Sequence, residues 1–169
     1  MFYLELFREL QRNEVKYLLV GGVAVNLHGA ERMTMDIDLM IAQDAANLPR
    51  FLAVARELRL KPNLPVTLEQ FCNPATLDSW VREKHMLAFQ LRAPEIDAPS
   101  IDILVNPVVR FEEAHARRVP LIVDGVEISV AAIEDLVALK SGTGRSIDAS
   151  DIKALHRIAM LRSRDRDDG

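Results

Sequence analysis

Cysteine occurs once in this chain, at Cys72, so no internal disulfide can form and no cysteine-rich zinc site can be built. Beside Phe71, that thiol suits a small buried hydrophobe. Long apolar runs are also missing. No stretch is long enough to cross a bilayer, and the start, MFYLELFRELQR, lacks the basic region and cleavage site of a secretory signal. These absences predict a cytoplasmic protein with no membrane-embedded part. Nor is there an excess of positive charge: the net charge of −4 argues against a broad nucleic-acid-coating surface, while leaving room for a local basic patch that holds one RNA end. The four histidines, His28, His85, His115 and His156, show no metal-ligand spacing and read as surface or helix-face residues. No serine sits in a nucleophile-elbow sequence, and neither does the cysteine, so covalent catalysis has no support. Internal repeats and low-complexity tracts are absent.

What remains is ordinary globular composition. With 169 residues, 49% apolar and 27% charged, the chain is long enough for one domain, residues 1–169, with a sizeable core. Its organising stretch is KYLLVGGVAVNLHGAERMTMDIDLMI, residues 16–41. The apolar run 17–20 reads as a buried strand that breaks at Gly21-Gly22 into a short helical segment stopped by Gly29. A second strand is expected over 35–41. Strand side chains alternate, so Asp36 and Asp38 share one face while Met35, Ile37, Leu39 and Ile41 fill the other. Two carboxylates about 6–7 Å apart repel each other, and a cation between them relieves that repulsion. Mg²⁺ suits this pair because it is a hard ion that binds through one or two carboxylates plus substrate phosphates. The glycine pair supplies the complementary half, since backbone N–H groups at a helix start can approach a phosphate closely. Separately, an Asp-x-Asp on a strand equally suits a solvated edge, and Gly-Gly a tight turn.

In combination, the stretch resembles the signature of the nucleotidyltransferase superfamily with the DNA polymerase β-like fold. That signature is an apolar strand, Gly-Gly, a spacer and Asp-x-Asp in an apolar frame. Here Gly21-Gly22 is followed by thirteen residues and then by Asp36 and Asp38. The form Arg32-x-Thr34-x-Asp36-x-Asp38 most resembles small stand-alone prokaryotic members, including those of the abortive-infection and toxin–antitoxin kind. The resemblance implies an α+β fold with a mixed central sheet flanked by helices, a core over about 14–130 and a helical segment over about 131–163. It also implies a third carboxylate on a later strand.

Along the chain, amphipathic spacing predicts helices over 2–12 and 45–60, a break at Pro62 and Pro65, and a helix over 74–84 with Asn73 as N-cap and proline at its first position. Strands are expected over 85–91, where Leu87, Phe89 and Leu91 alternate, and over 100–105. The latter holds Asp102 between Ile101 and Ile103. It fits the implied third metal ligand; alternatively it faces water on an edge strand. A short helix near 110–117 and a hairpin at Asp124-Gly125 lead to a strand over 126–130. Helices follow over 132–140, with Glu134 and Asp135 in the first turn, and 148–160. A charged tail from Arg162 is expected to fray.

The segment EDLVALKSGTGRSIDASDIKAL resembles the carboxy-terminal helices of the same enzymes. The resemblance implies that Lys140 approaches nucleotide phosphates and that Arg145, Asp148 and Asp151 brace the helix pair or the pocket. Lys140 equally suits a helix C-terminus, and Ser146 or Asp148 an N-cap. The implied activity is Mg²⁺-dependent nucleotidyl transfer by two ions (Mn²⁺ being an alternative) held by Asp36, Asp38 and Asp102. The donor is an NTP, such as ATP, whose phosphates rest on Gly21 and Gly22 with Arg32, Thr34 and Lys140 nearby. Asp102 is also a candidate to take the acceptor proton, and Arg32 to pair with one of the aspartates when no metal is bound. The implied acceptor is a tRNA end, a protein or a small molecule, and a cognate antitoxin or toxin is a candidate partner. A non-catalytic nucleotide-binding or antitoxin-like module on the same fold is the alternative.

Overall fold

The computed structural model describes residues 2–167. Seven strands form one mixed sheet: β1 Tyr17–Val20, β2 Ile37–Ile41, β3 Lys61–Pro62, β4 Ala88–Arg92, β5 Ser100–Leu104, β6 Val119–Val123 and β7 Val126–Val130. Their order is β3-β4-β5-β2-β1-β7-β6. The β2–β5 and β1–β7 pairs are parallel and the rest antiparallel. The helices are α1 Phe2–Arg12, α2 Gly21–Leu27, α3 Asn47–Glu57, α4 Leu68–Phe71, α5 Pro74–Lys84, α6 Phe111–Ala116, α7 Ile133–Lys140 and α8 Ser146–Asp167. This is the mixed sheet with flanking and carboxy-terminal helices that the family resemblance implies.

The central strands are apolar and lie in the core. Every residue of β1 is buried, as are Ile37, Leu39, Met40 and Ile41 of β2. Helix α1 buries Leu6, Phe7 and Leu10, one stripe at helical spacing. Asn47 fastens the far end of the central hairpin: its side chain accepts from the Lys16 N–H at 2.7 Å and donates to the carbonyls of Lys16 and Ala42. On the β4 side, the Phe89 ring stacks on Phe71 at 4.2 Å and lies 6.0 Å from Trp80. Helix α5 starts as expected, with the Asn73 side chain accepting from the Thr76 N–H and Pro74 at the first position.

Several expectations are corrected. Strand β2 begins at Ile37 and not at 35, and Met35 is 72% exposed instead of filling the core face. The reason is the partner strand: β1 ends at Val20, opposite Asp38, where Gly21 turns away. Strand β4 starts at Ala88, leaving Leu87 73% exposed, because His85 ends α5 in the left-handed conformation. His28 is buried. Its Nε2 lies 2.7 Å from the Ala131 carbonyl and its Nδ1 faces Arg162. Cys72 is half-buried, and burial followed by the nearby Glu69 charge pushes its thiol up to about 12. Two short elements escape the periodicity: β3, where Pro62 is tolerated on a sheet edge, and α4, opened by a capping box between Thr67 and Gln70. The last helix starts at Ser146 and continues through the expected fraying region to Asp167; Asp168 and Gly169 of that tail lie outside the described residues.

The stacked aromatics carry much of the β4 side, so Phe89→Ala is expected to cost about 3–5 kcal/mol. Urea unfolding of the two proteins checks this, and a change under 1 kcal/mol contradicts the packing described.

Candidate active site

The parallel pairing of β2 with β5 aligns Ile37 with Ile101 and Asp38 with Asp102. Period-two alternation then sends Ile37, Leu39, Ile101 and Ile103 to one fully buried face, and Asp38 and Asp102 side by side to the other. Asp36 precedes the strand at the mouth and accepts a 2.7 Å hydrogen bond from the Ser100 hydroxyl. On the opposite flank of β2, Val20 pairs with Asp38, and the chain turns at Gly21 with φ +67°. A Cβ at Gly21 would lie 1.9 Å from Asp38 Oδ2, and one at Gly22 would lie 2.7 Å from Thr34 Oγ1 and 2.9 Å from Arg32 Cζ. A side chain at Gly21 would be strained by the positive φ and would force Asp38 aside, and one at Gly22 would force Thr34 or Arg32 to shift. The glycines let backbone lie directly against the carboxylates and the 32–34 segment.

These elements enclose a cleft of about 270 Å³. The eight residues expected to hold metal or phosphate line it, Gly21, Gly22, Arg32, Thr34, Asp36, Asp38, Asp102 and Lys140, together with Arg145 and Asp148. Sequence reading missed the apolar lining from Leu104, Leu136 and Ile147. It also missed Ser100, although alternation two residues before Asp102 was a usable signal.

The electrostatics follow from burial. Asp38 is pushed up to about 6, first by burial, then by the negative charges of Asp102 and Asp36; Lys140 and the Gly22 N–H oppose the shift. Asp102 is raised above the usual carboxylate range by burial, partly offset by a hydrogen bond from Gln90. Its Oδ1 is buried without a partner. Such an oxygen lacks the compensation that buried polar atoms normally find. Among the described residues, no group of three or more His, Cys, Asp or Glu side chains stands assembled as a metal site. The donor set nevertheless fits a hard divalent cation: three carboxylates on one floor, one with an orphaned oxygen and two held above their usual range by mutual charge and burial.

One wall of the cleft is an ion network. Lys140 Nζ lies 3.1 Å from Asp148 Oδ1 and 2.8 Å from Asp151 Oδ2, all three side chains being buried. Asp148 Oδ2 accepts from Thr143 Oγ1 and from Arg145 Nε, each at 2.7 Å. Burial pushes the Asp148 carboxyl up, but its hydrogen bonds from Thr143, Lys140 and Arg145 prevail and hold it below the usual range. Arg32 pairs with Asp151. The candidate pairing of Arg32 with one of the floor aspartates is not the one observed, because α8 brings a buried carboxylate to it from 119 residues away.

The sequence profile described as "Nucleotidyl transferase AbiEii toxin, Type IV TA system" matches residues 6–141. No curated protein matches at a significant level. Solved structures that match include the lincosamide antibiotic adenylyltransferase LnuA with lincomycin bound: TM-score 0.57, 18% identity, covering 88% of this chain and 90% of that one. The antibiotic-resistance factor ANT(2″)-Ia in complex with adenylyl-2″-tobramycin matches with TM-score 0.56 and 11% identity, over 96% and 94% of the two chains. An antigenic nucleotidyltransferase-like protein from Paracoccidioides brasiliensis matches with TM-score 0.58 and 18% identity, over 92% and 72%. At such identities these likenesses establish the fold, which is that of the nucleotidyltransferases.

Two expectations concern stability. Gly21→Ala combines a strained positive φ with a collision at Asp38 and is expected to cost ~2 kcal/mol or more in thermal or denaturant unfolding. Asp38→Asn, in chelator, is expected to stabilise the protein. The carboxyl titrates near 6 when folded and near 3.8 when unfolded, so its penalty is complete above pH 6 and vanishes as pH falls towards 4. The gain is ~1–3 kcal/mol at pH 8 and near zero at pH 4. A pH-independent difference contradicts the raised value.

Proposed function

The chain belongs to the AbiEii nucleotidyltransferase family, and from that premise we propose that it is a metal-dependent enzyme of a toxin–antitoxin pair. It transfers a nucleoside monophosphate from an NTP to a hydroxyl acceptor and releases pyrophosphate. The observation that carries this reading is the in-register pair Asp38 and Asp102 on a floor that Gly21 approaches with bare backbone.

In the proposed reaction the acceptor oxygen attacks the α-phosphorus, the bond from that phosphorus to the oxygen bridging it to the β-phosphate breaks, and the acceptor proton passes to Asp102. Gly21 and Gly22 cradle the phosphates, and Arg32, Thr34 and Lys140 stand where charge on the transferring group would need offsetting. Asp36, Asp38 and Asp102 would hold divalent cations that, when bound, lower the pKa of the acceptor hydroxyl and offset charge on departing pyrophosphate. The charge balance supports this. Five carboxylates, at 36, 38, 102, 148 and 151, face three cations, at 32, 140 and 145. A polyanionic triphosphate entering a net-negative cleft needs cations of its own.

Residues 1–169 act in this reading as one nucleotidyltransferase domain, with the carboxy-terminal helices closing one wall of the cleft. ATP is the first donor to test, since LnuA is an adenylyltransferase and ANT(2″)-Ia was solved with an adenylylated aminoglycoside. No helix among the described residues is long and apolar enough to cross a membrane, and the proposed acceptor is a tRNA end, a protein or a small molecule.

Label transfer from each of four α-labelled NTPs, with Mg²⁺ or Mn²⁺, to bulk tRNA and to cell protein tests the proposal. Asp36→Ala and Asp38→Ala are expected to lose on the order of 10²–10³-fold or more, and chelator to abolish labelling. Nucleotide binding with no transfer to any acceptor points instead to a non-catalytic module, a reading that the existing pairing of Arg32 and Lys140 with acidic side chains also suits.

A further inference from the structure

The carboxylate of Asp151 stands in an unusual position. It lies on α8, its side chain is only 5% exposed, and a single oxygen, Oδ2, meets both Arg32 Nη1 and Lys140 Nζ. The two cations come from separate parts of the chain: Arg32 from the segment between α2 and β2, Lys140 from the last turn of α7. No other side chain among the described residues pairs with both. Lys140 has a second anchor in Asp148. The Arg32 guanidinium has none among the described residues: its Nε is buried without an acceptor, and its Cζ packs so closely on Gly22 that a Cβ there would sit 2.9 Å away. The backbone of Arg32 is fixed separately by reciprocal bonds with the Asn26 side chain, so the strand of chain is held whatever the guanidinium does.

A buried pair of this kind is poor evidence for stability, because taking the charges out of water offsets most of their attraction. Its geometric effect is clearer. Oδ2 holds both the guanidinium, whose Cζ lies against Gly22, and the ammonium in the one cleft that the glycines also line. The geometry points to Asp151 as the positioning residue for the triphosphate: acting through Arg32, it sets the orientation in which the cleft receives phosphate oxygens. This rests on the nucleotidyltransferase reading above.

The sign of its effect separates positioning from simple field effects. A bystander carboxylate repels a polyanion, so neutralising it tightens triphosphate binding. A positioning carboxylate does the reverse, because without it Arg32 is free to leave the glycine wall. Calorimetry with α,β-methylene triphosphate analogues of the four nucleosides and Mg²⁺ makes the measurement without turnover. Asp151→Asn is expected to weaken binding by about 10-fold, the size of one lost charge-assisted hydrogen bond, although the cleft becomes more positive. Arg32→Gln is expected to weaken it similarly, and the double variant by no more than about twofold beyond Arg32→Gln, as required of two residues acting as one unit. Should Asp151→Asn fail to give a cooperative thermal transition, Asp151→Glu keeps the charge while displacing it by one methylene, and about 3-fold weakening is expected. Wild-type protein that binds no analogue defeats the enzyme reading itself. Wild-type binding with unchanged or tighter binding by the Asp151 variants, or fully additive losses in the double variant, overturns the positioning role alone.

Discussion

The register between β2 and β5 is the constraint on which the cleft depends. A parallel ladder that sets Asp38 beside Asp102 also sets Ser100 where it can donate to Asp36, and it buries Ile37, Leu39, Ile101 and Ile103 beneath them. A slip by one residue would exchange the faces, placing carboxylates in the core and isoleucines in the cleft. The four buried side chains make that slip expensive, so the hydrophobic core under the sheet holds the acidic floor above it in register.

Backbone geometry then closes the arrangement. Strand β1 must stop at Val20, since continuing beyond Gly21 with any side chain would drive a Cβ into Asp38. The turn into α2 at Gly21 is therefore a consequence of the carboxylate next to it as much as of glycine's tolerance for positive φ. The same turn leaves the 33–36 segment without a β1 neighbour, which is why Met33 and Met35 face solvent while Arg32, Thr34 and Asp36 face the cleft.

Charge is segregated within the cleft. The floor carries three carboxylates, two of them raised by burial; the wall carries cations already matched by α8. A floor with no ion-paired cation among the described residues, beside a wall of cations paired by α8, accords with the proposed metal-bound triphosphate.

Local sequence determined a good deal here. Alternation around Asp36, Asp38 and Asp102, the glycine pair, the stripe on α1 and the proline-led start of α5 are rules of strand, turn and helix that act within a few residues. They placed the main elements and the glycine and aspartate positions of the cleft, whereas Arg32, Thr34 and Lys140 came only from the family resemblance. Failures fell where a distant neighbour decides. Met35 lost its expected strand because β1 turned away first, and His28 is buried because Ala131 and Arg162 reach it from more than a hundred residues off; Leu87 is the local exception, set outside its strand by the left-handed His85. The union of Arg32 with Asp151 belongs to the same class. Periodicity reports which face a side chain takes on its own element; which charge it meets there is settled only when separate elements pack, and in this protein that packing gives the cleft its positive wall.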